Sequence, residues 1–91
     1  MDLKSYLEGE GRGRLTLLAA SIAAQSQLVW QWANGVRSVP DIRCPSIERA
    51  TDGAVTCEEL RPDVKWSRIK DKAWPHPQGR PVIDVARVEA T

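Results

Sequence analysis

The sequence predicts an all-α fold, a small bundle of five helices followed by an extended C-terminal tail, and three observations predict it. Apolar residues recur at helical spacing in short blocks between residues 3 and 60. Gly, Asn and Asp-Gly positions separate those blocks, and prolines and charges crowd the chain after Trp66. At 91 residues there is room for one domain. Folding at this size removes only somewhat more than ~60% of the unfolded surface from water, so the core is thin and a large enclosed active site is excluded. Phe is absent and Tyr6 is the only tyrosine, so aliphatic residues must build most of the interior around Trp30, Trp32, Trp66 and Trp74.

Leu3, Tyr6 and Leu7 stand at helical spacing behind Asp2, an N-cap residue, and Gly9, Gly11 and Gly13 end that first helix. Leu15, Leu18, Ala19 and Ile22 form the i, i+3, i+4, i+7 stripe of a second helix. A third begins at Gln25-Ser26-Gln27, turns Val29 and Trp32 inward and closes at Asn34-Gly35, with Gly35 suited to the left-handed position just past a helix end. Val39-Pro40-Asp41 opens a fourth helix running to about Thr51, with Ile42, Cys44, Ile47 and Ala50 expected inside. Pro45 is tolerated there because it lies near the first turn. Thr56-Cys57-Glu58-Glu59 has the form of a capping box and predicts a one-turn helix ending at Leu60. Val55, Leu60, Val64 and Trp66 can then cover the open side of the bundle.

The expected folded unit is therefore residues 1–66, and residues 67–91 read as a proline-containing tail, disordered or serving as an oligomerisation strand. Val82 to Val88 is β-rich but too short to stand alone, which leaves open a strand exchanged between two subunits. Cys44 and Cys57 read as reduced core thiols. With His76 as the single histidine they cannot complete a four-ligand zinc site, and no cofactor is expected. The start of the sequence lacks an apolar signal region, and the uncharged run Leu15 to Val36 is too polar in its second half for a membrane helix. A cytoplasmic protein without membrane contact is expected.

Residues 18–35 carry the pattern of a helix-turn-helix: small Ala19 where two helices cross, anchors Leu18, Ile22, Val29 and Trp32, and a second helix whose N-terminal outer face lacks both apolar bulk and acid. Gln25, Ser26, Gln27 and Gln31 occupy that face. A glutamine amide donates and accepts at once and matches N6 and N7 of adenine in the major groove. Solvation of an exposed helix is the plainer account of the same residues. Arg12 and Arg14 precede the second helix, Arg37 follows the third and Arg43 opens the fourth, where phosphates would lie. Lys65, Arg68, Lys70, Lys72 and Arg80 offer a second basic stretch.

The sequence resembles the lambda-repressor-like, Cro-type helix-turn-helix regulators, and specifically the YdaS-like Cro proteins of prophages and toxin-antitoxin operons. The resemblance covers about residues 3–66. It rests on Leu18-Ala19, Val29-Trp30-Gln31-Trp32, Asn34-Gly35, Val39-Pro40, the run from Cys44 to Thr56, and Glu58 to Asp63. It implies a five-helix domain, usually a symmetric homodimer or higher homo-oligomer on a palindromic double-stranded DNA operator, acting as a transcriptional repressor. By position it places Ser26, Gln27 and Gln31 at base edges and Gln25 at the helix cap beside a phosphate. Trp30 is a further candidate at the bases, and Arg12, Arg14, Asn34, Arg37 and Arg43 are candidates at phosphates by their location. Two departures stand out: the turn carries Ala23-Ala24 where Gly and an aliphatic are frequent, and Gln25 replaces the usual Ser or Thr cap. Trp30 can touch thymine methyls or pack against the first helix near Tyr6.

No nucleophile with a base, carboxylate pair or metal cluster suggests an enzyme. His76, between Pro75 and Pro77, reads as a solvated linker residue. The competing class is a protein-interaction adapter, an antirepressor or antitoxin that binds a partner through Trp30, Trp66 and the tail. A net charge of +1 argues against wholesale polyanion binding, yet residues 11–40 hold three arginines and no acid.

Overall fold

The structure is a computed structural model and describes residues 1–9 and 13–83. Five helices follow in order: α1 (Leu3–Leu7), α2 (Arg14–Ser21), α3 (Ser26–Ala33), α4 (Cys44–Ala50) and α5 (Cys57–Leu60). A 3-10 turn, Asp41–Arg43, leads into α4, and two strands, β1 (Trp66–Ile69) and β2 (Arg80–Ile83), follow α5.

Local chemistry explains most of the boundaries. The Asp2 carboxylate accepts from the Ser5 amide at 2.7 Å and starts α1. Thr56 and Glu59 form both halves of the capping box that starts α5. Helix α3 ends in a Schellman closure: the Val36 amide donates to Gln31 and the Gly35 amide to Trp32, with Gly35 at φ 74°.

The core gathers Leu3 of α1, Leu18 and Ala19 of α2, Ile22, Val29 and Trp32 of α3, Val39, and Cys44, Ile47, Val55 and Cys57. Both thiols are buried and free, and burial pushes Cys44 up to about 12 and raises Cys57 as well, which leaves them inert. Ile42 departs from expectation, being 79% exposed. The chain spends Asp41–Arg43 in a 3-10 turn before α4 begins, and the tighter pitch rotates Ile42 outward while Cys44 and Ile47 still face in.

The all-α expectation holds for the five helices and fails to include a small sheet. Strands β1 and β2 pair antiparallel, Trp66 opposite Ile83 and Ile69 opposite Arg80. The extended tail expected from residue 67 is thus, through Ile83, a hairpin whose first strand already contains Trp66. Its wide connection is closed by turn bonds from Trp74 to Asp71, His76 to Trp74 and Gly79 to His76. Residues 84–91, the greater part of the β-rich stretch, lie outside the described residues.

The hairpin is fastened to the bundle by a buried carboxylate. Glu48 is 0% exposed, and it accepts from Arg68 Nη2 at 2.7 Å, from the Cys57 amide at 3.0 Å, and from the Trp74 indole. Arg68 also bridges to Glu58 at 2.6 Å and donates to the Gly79 carbonyl at 3.0 Å. Burial raises the Glu48 carboxyl, but the bonds from Arg68, Trp74 and Cys57 outweigh it and hold the group below the ordinary carboxylate range. Arg68 therefore belongs to the interior and not to a basic tail.

Candidate nucleic-acid interface

Helices α2 and α3 pack against each other, and Ala19 and Val29 are both buried. On α3 the 100° step between residues divides the surface in two: Val29 and Trp32 point into the core, and Ser26, Gln27, Trp30 and Asn34 point out. Gln25, Gln27, Leu28, Gln31 and Arg37 line one shallow hollow of about 350 Å³. Three of the glutamines singled out from sequence, together with Arg37, thus meet around a single concavity although they span thirteen residues. Residues 13–40 hold no acid, so this face carries no negative side chain of its own.

Gln25 occupies the N-cap position of α3 with extended backbone, and no side chain caps the helix there. Its first amides are therefore open to an outside acceptor. Asn34 is exposed, but its side-chain nitrogen donates to the Trp30 carbonyl at 2.9 Å and closes the end of the helix. Trp30 stands on the opposite flank from Gln31, 50% exposed, beside a hollow that it shares with Lys4, Leu7, Glu8, Leu15 and Asn34. One flank of the ring thus borders the first helix at Lys4, Leu7 and Glu8, and the rest of it is exposed.

The arginines separate into two groups. Arg37 is exposed and lines the glutamine hollow. Arg14 is half-buried, donates to the Tyr6 carbonyl at 2.8 Å and lies over the Tyr6 ring at 4.7 Å, which fixes it at the start of α2. Arg43 points inward, where Nη1 donates to the Ile22 carbonyl at 2.6 Å, so an internal acceptor holds the group expected to meet phosphate. Arg12 lies outside the described residues. Trp66 is half-buried and its indole donates to the Arg61 carbonyl at 3.0 Å, which takes it out of any exposed aromatic surface.

Sequence reasoning missed Glu48, Arg68 and Trp74. The signal was present: Cys44, Ile47, Glu48 and Thr51 are spaced i, i+3, i+4, i+7, and all four are buried. An acid inside an apolar stripe requires a partner from elsewhere in the chain.

The family model described as "Bacterial toxin YdaS" matches residues 8–69. The chain belongs to the YdaS family. Within it, the chain is 48% identical over 61 residues to the Escherichia coli K12 protein described as "Putative transcriptional regulator YdaS", a match covering 67% of this chain and 62% of that protein. The chain thus aligns with rather less than two thirds of that relative's length. Among solved structures, the YdaS-family chain is similar to the Cro protein from the element Xfaso 1 in Xylella fastidiosa strain Ann-1. The TM-score is 0.58 at 38% identity, covering 74% of this chain and all (100%) of that one. The family match ends at Ile69, within the first strand, and so includes the helix-turn-helix, Glu48 and Arg68.

Among the described residues no helix is long and apolar enough to cross a membrane, and no three His, Cys, Asp or Glu side chains gather as a metal site.

Proposed function

We propose that the protein is a sequence-specific double-stranded DNA-binding transcriptional regulator, a Cro-like repressor of a prophage or toxin-antitoxin operon, with α3 as its recognition helix. The observation that carries this reading is the hollow that joins Gln25, Gln27, Gln31 and Arg37 on an acid-free face. Gln27 and Gln31 each offer an amide that donates to N7 and accepts from N6 of an adenine, Ser26 accepts or donates to a neighbouring edge, and the open half of Trp30 meets a thymine methyl. Arg14, Gln25, Asn34 and Arg37 take the flanking phosphates, helped by the uncapped amides of α3. The names of the family relatives, a transcriptional regulator and a Cro protein, support the same class.

Few arginines surround this face, so affinity rests on base contacts and on the geometry of two copies more than on phosphate attraction. A homodimer placing its two recognition helices ~34 Å apart on a palindromic operator is the arrangement that rewards such a module. Among the described residues the sheet has two strands, and its outer edges are one surface through which the copies can meet.

The test is a mobility-shift titration of the protein on duplex from its own upstream region and on a shuffled duplex, at several salt concentrations. Preference for the native duplex, with affinity that falls as salt rises, is expected. Equal binding to both duplexes, or none to either, would instead favour a protein-interaction adapter.

A further inference from the structure

The recognition turn departs from the other two helix ends in the bundle. Helices α2, α3 and α4 all end in the Schellman pattern. The amides of Ala24, Val36 and Gly53 donate to the carbonyls of Ala19, Gln31 and Glu48, and those of Ala23, Gly35 and Asp52 to Ala20, Trp32 and Arg49. Each closure places its first residue past the cap in the left-handed region, Gly35 at φ 74°, Asp52 at φ 55° and Ala23 at φ 55°, and after α4 Gly53 follows at φ 82°. Glycine adopts this conformation freely and aspartate tolerates it through its short polar side chain, whereas alanine meets its own Cβ clash. The strained residue therefore lies in the turn that sets the angle of α3.

The same turn has a support that the other two lack. Ile22 is the C-cap of α2 and is buried, so its carbonyl has little access to water. Arg43 reaches across from the end of the 3-10 turn, 21 residues on, and donates to that oxygen at 2.6 Å. A guanidinium at a helix C-terminus also opposes the negative end of the helix dipole. At the ends of α3 and α4 the carbonyls accept only from neutral groups, Asn34 on Trp30 and Thr51 on Glu48.

We propose that Arg43 is a positioning residue for DNA reading: its bond to Ile22 holds the strained Ala23 turn closed and so fixes how α3 is presented. The inference deepens the DNA-binding reading above and rests on it for its readout on DNA, but its structural half can be tested without DNA. Arg43 thereby exchanges the phosphate contact expected from its place in the sequence for an internal one.

The experiment compares Arg43→Met, Ala23→Gly, the double variant and the parent. Arg43→Met should lower the Tm by about 4–8 °C in the parent background. In the Ala23→Gly background the same change should cost less than half as much, because glycine removes the strain that the arginine restrains. On DNA, Arg43→Met should lose preference for the native over the shuffled duplex while leaving the slope of log affinity against log salt unchanged, and the double variant should regain that preference. Equal Tm losses in both backgrounds would overturn the proposal. A slope shallower by about 0.9 with preference intact would also overturn it, since that is the signature of a lost phosphate contact. If the parent itself shows no preference between duplexes, the DNA-binding reading fails, and the two Tm differences still decide whether Arg43 supports the turn.

Discussion

The face around α3 and the hairpin latch use polar residues in opposite ways. Around α3, Gln25, Ser26, Gln27 and Arg37 stand exposed and Gln31 half-buried, with few internal partners, and the helix start is uncapped. At the latch, Glu48, Arg68 and Trp74 give their polar groups to one another and to the Cys57 amide and Gly79 carbonyl. One region leaves its hydrogen-bonding groups facing solvent, and the other consumes them inside. Mutations should therefore separate into those that cost stability and those that cost recognition.

The largest expected effect lies at the latch. Glu48→Ala leaves the Arg68 guanidinium, with a side chain only 8% exposed, deprived of its main partner, and should cost about 3–5 kcal/mol by chemical denaturation. Glu48→Gln keeps the shape and should cost less. It should also remove part of the acid sensitivity. The folded carboxyl titrates below its ordinary value, so its contribution is complete above the unfolded pKa of about 4.3 and fades as pH falls below that through the lowered folded pKa. A stability curve measured from pH 6 down to pH 2 should be flatter for Glu48→Gln, although Asp2, Glu58, Glu59 and Asp63, also held low, keep some of the slope. An unchanged curve would remove Glu48 from the account of the latch.

Next in size is the hairpin connection. Gly79 has φ 99°, and a Cβ there would overlap the Ile69 carbonyl across the sheet. Gly79→Ala should destabilise by about 1–3 kcal/mol, read by thermal melts, with loss of the β1–β2 pairing in amide exchange. Thr56→Ala at the start of α5 should cost about 1 kcal/mol, since it removes one half of the capping box and leaves the other. None of these variants touches the exposed face of α3. Any that still folds should keep the parent's preference among DNA sequences.

Much of this division was legible in the sequence, and the reasons differ by region. The caps at Asp2 and Thr56, the left-handed Gly35 and the inward pair Val29 and Trp32 are local signals, set within four residues, and each appears where its spacing places it. The outward glutamines follow from the same helical period. The latch was not legible because its members, Glu48, Arg68 and Trp74, lie 20 and 26 residues apart, and proline-rich composition concealed the hairpin between them. The internal bond of Arg43 was hidden for a related reason. Its place at a helix start suggests phosphate, and only the tertiary fold brings the Ile22 carbonyl to it. Ile42 erred by a single step, because a 3-10 turn changed the phase of the stripe.

The most direct test of the division is paired: Gln27→Ala and Gln31→Ala, each compared with the parent for thermal stability and for binding to native and shuffled upstream duplexes at fixed salt. The account predicts melting within about 2 °C of the parent, since these side chains leave the core untouched. It also predicts a loss of about 1–3 kcal/mol on the native duplex per glutamine, with no change on the shuffled one. Full retention of preference by both variants would contradict it and would mean that α3 does not read the bases.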